Sequence, residues 1–227
     1  MTLSTQHPIP PEWHKIETVL LDMDGTLLDL HFDSHFWLEH LPKRYAELHK
    51  LDEASAKGYV IDEITQQQGT LNWYSLEYWA KHFNVDIVAL KKEVQHLIGF
   101  RGDALHLLEF LRSHHAQIIL ATNADQQSLA IKLPATGLDQ YVDKIVSSAE
   151  LQIAKEETAF WQALQIKTPY NPETTLLIDD NETVLDSAKA FGIKYLYTIV
   201  QPDMRAPART STRYPAVGDF SHITQQS

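Results

Sequence analysis

The sequence predicts an α/β fold: a central parallel sheet flanked by helices, with an all-helical segment inserted after the first strand. Three observations carry this. Short, continuous apolar runs alternate with stripes of helical period, the pattern of strands buried on both faces. Charged or hydroxyl residues follow the carboxyl ends of three of those runs, the edge where open parallel sheets bind ligands. Roughly 90 residues separate the first run from the second, far more than one crossover helix needs.

In chain order, residues 1–15 read as an irregular leader and residues 17–24 as the first strand, ending in Asp22-Met23-Asp24-Gly25-Thr26. Within 31–100, apolar stripes recur at Leu38, Leu41, Tyr45 and Leu48, then Val60 and Ile64, then Leu76, Ala80 and Phe83, then Ile87, Leu90, Val94 and Leu97. Pro42 is expected to break or start a helix there. This stretch reads as a helical cap, entered just after the acidic pair and rejoining the core at Gly99-Phe100-Arg101-Gly102. The catalytic core is therefore expected in two pieces, 1–30 and 101–227. Its later strands are 117–121, 141–147, 175–178 and 195–200; its helices carry Leu107 and Leu111, Leu129 and Leu133, Phe160 and Leu164, and Val184 and Leu185. From Gln201 onward the chain reads as a wrapping loop anchored by Tyr214 and Phe220.

Composition narrows the function classes. The 227 residues include 44% hydrophobic and 22% charged positions, as in soluble globular proteins. A net charge of −11 argues against binding a nucleic-acid polymer or an anionic membrane surface. The absence of cysteine removes disulfides and thiolate chemistry, and no window nears the roughly 18 apolar residues of a membrane span. The expectation is a cytoplasmic enzyme. Twelve histidines show no spacing that argues for zinc.

The chemistry is concentrated at the strand ends. Residues two apart on a strand share a face, so Asp22 and Asp24 can enter one pocket, where two carboxylates about 4 Å apart repel by roughly 4 kcal/mol at an effective dielectric near 20. Asp179-Asp180 adds two more acids at another strand end, and Lys155 supplies a fixed positive charge. An all-oxygen set of this kind suits a hard divalent cation, Mg²⁺ by preference. Gly25 permits close backbone approach, and Thr26 offers a cap and a donor. Thr122-Asn123 is expected to open a helix whose N–H groups hold a phosphate. Together these residues suit phosphoryl transfer, with one aspartate as nucleophile and the other as general acid and base.

These four groups, in this order, resemble the motifs of the haloacid-dehalogenase-like (HAD) phosphatases. The resemblance implies a modified Rossmann core with an inserted cap of the C1 type. It makes Asp22 the nucleophile and Asp24 the acid/base, with Asp22, the Asp24 carbonyl and Asp179 around Mg²⁺, Asp180 as a further ligand or as a partner behind the ligands, and Thr122 and Lys155 on phosphate. The stretch from Val19 to Leu30, with Phe36-Trp37, Thr70-Leu71-Asn72-Trp73-Tyr74 and Tyr78-Trp79, is similar to the bacterial GMP/IMP nucleotidase branch. That implies a purine nucleoside monophosphate as substrate; a sugar phosphate, cleaved or isomerised, is the alternative. Ala154 stands where that branch usually has proline, which is expected to loosen the lysine loop. Asn72 is the candidate base reader, while Trp73, Tyr74 and Trp79 are either a stacking surface or cap core. Arg101 is a candidate for phosphate contact or for a hinge salt bridge. Asp29 and Asp33 are expected to cap the turn into the lid.

Overall fold

Strand β1, Thr18–Leu21, lies at the centre of the sheet, and its four residues are fully apolar or buried. The computed structural model describes residues 8–224; the first seven residues of the expected leader lie outside them. Beyond β1 come β2 (Gln117–Thr122), β3 (Lys144–Ser147), β4 (Thr175–Ile178), β5 (Tyr195–Ile199) and β6 (Ala216–Val217). Their order is β3-β2-β1-β4-β5-β6, every pair parallel. The β1 register aligns Leu21 with Leu120 on one side and Ile178 on the other. The chain therefore leaves β1, β2 and β4 at one level, and Asp22, Thr122 and Asp179 meet there.

Helices cover both sheet faces, and the two-residue period of β1 assigns its side chains between them. Val19 and Leu21 pack with Leu107 and Leu111 of the helix Ala104–Ser113, while Leu20 packs with Phe160 and Leu164 of Thr158–Lys167 and with Val184 of Glu182–Phe191. The second strand is followed by Gln126–Thr136, capped by the Asp125 carboxylate on the Ser128 N–H at 2.8 Å and closed by Gly137 at φ 67°. Thr122 is thus the last residue of β2 and does not begin the helix; its hydroxyl instead accepts the Ala124 N–H at 3.0 Å. The tail holds an element too short for periodicity to reveal: β6 extends the edge beside Thr198 and Ile199. Phe220 is buried, and the Tyr214 hydroxyl donates to Asp186 at 2.6 Å, so both expected tail anchors are engaged.

Between β1 and β2 run the helices His31–His35, Leu41–His49, Glu53–Gln66, Leu71–Tyr74, Leu76–Phe83 and Ile87–Glu93. A π-helical turn, Phe36–His40, joins the first two. Pro42, which has no N–H to donate one turn back, sits just after that widened turn in the first turn of Leu41–His49, so of the two expectations, a break or a start, it takes the start. These helices enclose their own core, with Phe36, Val60, Leu76, Trp79, Phe83 and Ile87 all at most 2% exposed. Burying side chains of this size stabilises the segment by about 1.5–3 kcal/mol each, enough to give it a core apart from the sheet. Its exit and return lie side by side: Asp29 N–H donates to Gly99 O at 3.0 Å and Arg101 N–H to Leu27 O at 2.9 Å.

Candidate active site

The carboxyl ends of β1 and β4 place three acids around one ammonium. Lys155 Nζ donates to Asp22 Oδ1 at 2.6 Å and pairs with Asp179 Oδ2 at 2.6 Å. Asp22, Asp179 and Asp180 each offer an oxygen within 4.8 Å of the others. Burial drives these groups toward the neutral form. It pushes Asp22 up to about 6 against the pull of Lys155, and it raises Asp179 and, further, Asp180, where Asp22 adds repulsion. Burial alone would lower the Lys155 ammonium, but Asp179 and Asp22 outweigh it and hold it charged. Three carboxylates and one ammonium leave an excess of negative charge on an all-oxygen donor set, and a hard divalent cation such as Mg²⁺ fits that set.

The turn after Asp22 fixes this cluster. Gly25 has φ 81°, and a Cβ there would lie 2.8 Å from Asp180 Cγ and 3.0 Å from Pro202 Cβ. The Thr26 hydroxyl, fully buried, accepts the Asp180 N–H at 3.1 Å. Neither residue lines the cavity; both hold the Asp180 loop against the first motif. Gly25→Ala is expected to cost more than about 1 kcal/mol, or roughly 2–4 °C of melting temperature, because the backbone is left-handed and the space is taken. Thermal unfolding measures this, and an unchanged Tm would show that the loop yields freely.

The lysine loop is fastened on both sides despite Ala154. Lys155 N–H donates to Asn123 Oδ1 at 3.0 Å, and the Ser187 hydroxyl donates to Lys155 O at 2.5 Å. The Asn123 amide also donates to Glu156 Oε2 at 3.0 Å, so this side chain braces the lysine loop. Glu156 further accepts from the Tyr74 hydroxyl at 2.6 Å and from Asn181 at 3.2 Å, joining the helical segment to two strand-end loops. Burial and the Glu156 charge together raise the Tyr74 hydroxyl, which therefore stays a donor. A second clasp runs from the Leu76 N–H to Asp125 Oδ2 at 2.7 Å.

A cavity of about 880 Å³ lies between the strand ends and the helical segment, within the size range of ligand sites. Asp22, Asp24, Thr122, Asn123, Lys155, Asp179 and Asp180 form its floor, with Trp37, Trp73, Tyr74 and Trp79 in the opposite wall. Trp79 is 1% exposed and belongs to the helical core as much as to the wall; Trp73 and Tyr74 are half-buried. Asn72 is not in the wall. It is exposed and donates to Gln67 Oε1 at 3.1 Å, because the short helix Leu71–Tyr74 turns its amide outward. Arg101 is also outside the cavity. It is 2% exposed, sits 5.3 Å from the Phe220 ring and donates to Gly218 O at 3.5 Å, which ties the return hinge to the tail.

Several residues of the site were not anticipated. Asp24 pairs with Lys132 Nζ at 2.7 Å, and the same ammonium reaches Asp33 Oδ2 at 2.7 Å. Asp33 therefore does not cap the turn; Lys91 takes its other oxygen at 2.7 Å. Asp29 does cap, accepting the His31 N–H at 3.0 Å. Burial pushes Asp24 up to about 6 against Lys132, whereas at Asp33 Lys132 and Lys91 outweigh burial and hold it near 2. Arg209, from the tail, donates to Asp180 O at 2.6 Å. The sequence did carry a trace of the lysines: Lys91 falls beside Leu90 in the Ile87–Val94 stripe, and Lys132 lies three residues after Leu129.

Comparison with known proteins agrees with this geometry. The family described as haloacid dehalogenase-like hydrolase matches residues 16–192. The chain is 37% identical over 211 residues to the GMP/IMP nucleotidase YrfG of Escherichia coli (strain K12), covering 93% of this chain and 95% of that one. It is 24% identical over 194 residues to the phosphorylated carbohydrates phosphatase of Thermotoga maritima, covering 82% and 86%. The fold resembles a HAD phosphatase from Thermococcus onnurineus, with TM-score 0.77, 18% identity and coverage of 92% and 96%. Among the described residues, no helix is long and apolar enough to cross a membrane.

Proposed function

The chain belongs to the haloacid dehalogenase-like hydrolases, as one of their phosphatases, and from that membership we propose that it is a Mg²⁺-dependent 5′-nucleotidase acting on purine nucleoside monophosphates in the cytoplasm. The observation that carries the chemistry is the Asp22–Lys155–Asp179 cluster at the floor of the aromatic-walled cavity. The likeness to a GMP/IMP nucleotidase over nearly the whole chain supports the substrate class. Residues 1–30 and 101–227 act as the catalytic core, and 31–100 as the cap that selects what enters.

Asp22 attacks phosphorus through a carboxylate oxygen, and the bond to the nucleoside 5′-oxygen breaks as the aspartyl-phosphate forms. Asp24 gives its proton to that leaving oxygen. The same carboxylate then takes a proton from water as the water attacks phosphorus, which releases inorganic phosphate and restores Asp22. Lys155 stays protonated throughout and offsets phosphoryl charge, while Thr122 and Asn123 shape the loop facing the phosphate. A Mg²⁺ ion held by Asp22, the Asp24 carbonyl, Asp179 and Asp180 would neutralise charge on the transferring group. Trp73, Tyr74 and Trp37 present the aromatic faces that a purine ring packs against.

A phosphate-release panel over purine and pyrimidine nucleoside 5′-monophosphates and sugar phosphates, with Mg²⁺ or with chelator, tests this. GMP and IMP are expected to lead, and chelator to abolish release. Preference for a sugar phosphate would overturn the substrate class while leaving the phosphatase chemistry standing. Metal-independent release would overturn the role of the acidic cluster.

A further inference from the structure

We propose that Lys132 is a positioning residue for the reaction: its buried ammonium sets the Asp24 carboxyl for proton transfer and ties that placement to the cap through Asp33. The inference deepens the reading of Asp24 as acid and base, and rests on it. Lys132 is 3% exposed and belongs to a core helix, whereas Asp33 and Lys91 belong to the inserted segment. The groups alternate in sign, from Asp24 to Lys132 to Asp33 to Lys91, with each of the three contacts at 2.7 Å. Lys91 is 2% exposed, and its ammonium lies 4.7, 4.6 and 5.4 Å from the rings of Phe32, Phe36 and Trp37, so the far end of the row is itself fixed.

Two further features make this row part of the reaction as well as the fold. Among the described residues, Lys132 is the only side chain that forms an ion pair with the Asp24 carboxyl. Asp24, Asp33, Lys91 and Lys132 all line the cavity that holds the Asp22–Lys155–Asp179 cluster, so the row shares the space a substrate would enter. An acid must hold its oxygen within hydrogen-bond reach of the atom it protonates, and a displacement of about 1 Å can cost on the order of 10²-fold in rate. A cap that carries Asp33 away from Lys132 removes one of the two carboxylates locating that ammonium. The acid is then fully aligned only over a shut cap.

The test compares leaving groups. An alkyl phosphate such as IMP needs its leaving oxygen protonated, whereas p-nitrophenyl phosphate releases a stable anion and does not. For Lys132→Met, kcat/KM on the alkyl phosphate is expected to fall by about 10–10²-fold, while that on p-nitrophenyl phosphate stays within about threefold. Asp24→Asn is expected to show the same selectivity, more strongly. Should Lys132→Met fail to fold, Lys132→Met/Asp33→Asn restores the net charge of the row, leaving Asp24 and Lys91 as its charged members and an amide oxygen for Lys91 to donate to; the same selective loss is expected. Equal loss on both substrates, or loss on neither, overturns the role of Lys132. Selective loss is required of whichever alkyl phosphate turns over, so a sugar-phosphate preference would overturn the purine reading alone. Failure of Asp24→Asn to discriminate would overturn the assignment of the acid itself, and with it the proposal.

Discussion

Asp22→Asn is expected to reduce Mg²⁺-dependent phosphate release to background while leaving the fold at least as stable as before. The amide keeps the shape of the carboxylate and can still accept from Lys155, so the cluster loses the proposed nucleophile and one negative charge but little packing. A carboxyl held at about 6 in the fold against 3.8 outside it carries an ionisation penalty of roughly 3 kcal/mol at neutral pH. Because the folded value is the higher one, the stability linked to this group is fully present below pH 3.8 and is lost as pH rises through 6. Without metal, the wild-type Tm should therefore decline between pH 5 and pH 8, and the variant should decline less. Phosphate release and thermal melts at the two pH values measure both halves. Retained turnover would mean that another group attacks phosphorus.

The parts legible in the sequence were those written by short-range physics. Continuous apolar runs such as Thr175–Ile178 have one buried solution, and acids placed immediately after them must gather at the sheet edge once the strands align. The length of the insertion announced a helical segment between the first two strands before any of its helices was placed. What stayed hidden depended on meetings between distant segments. Lys132 reaches Asp33 across 99 positions and Lys91 reaches it across 58, and on a helix each lysine reads as an ordinary amphipathic residue. The Asn72 amide faces outward because of how a four-residue helix leaves the Gln67 turn, which no spacing rule foretells. Arg101 turns toward the tail because Gly218 and Phe220 come back to it after more than a hundred residues. The site's floor was thus readable from the motifs, and the lysines that pair with Asp24 and Asp33 were not.

Lys155→Met is expected to have the largest effect on stability. The ammonium is 2% exposed and lies 2.6 Å from both Asp22 and Asp179; Asp180 has Arg209 Nη2 3.7 Å away. Removing one partner of a buried ionic group costs about 3–5 kcal/mol, since the remaining charges stay desolvated and unpaired. For a chain of this size that is roughly 6–20 °C of melting temperature at pH 8 without metal. The sign of the pH dependence separates this cause from a simple packing defect. Burial already raises the three carboxyls, and loss of the lysine raises them further. Their stabilising protonated forms return as pH falls, so the deficit should shrink from pH 8 to pH 5, although acid usually destabilises proteins. Lysine itself is charged across that range and adds no slope. Mg²⁺ supplies a substitute cation; at about 100 times its Kd it should restore roughly 2.7 kcal/mol, without restoring the lysine's contribution to turnover. Melts at both pH values, with and without Mg²⁺, decide the matter. A deficit of equal size at both pH values, with no rise of the variant's own Tm on adding Mg²⁺, would show that Lys155 holds the loop by packing and that the acids do not bear on one another.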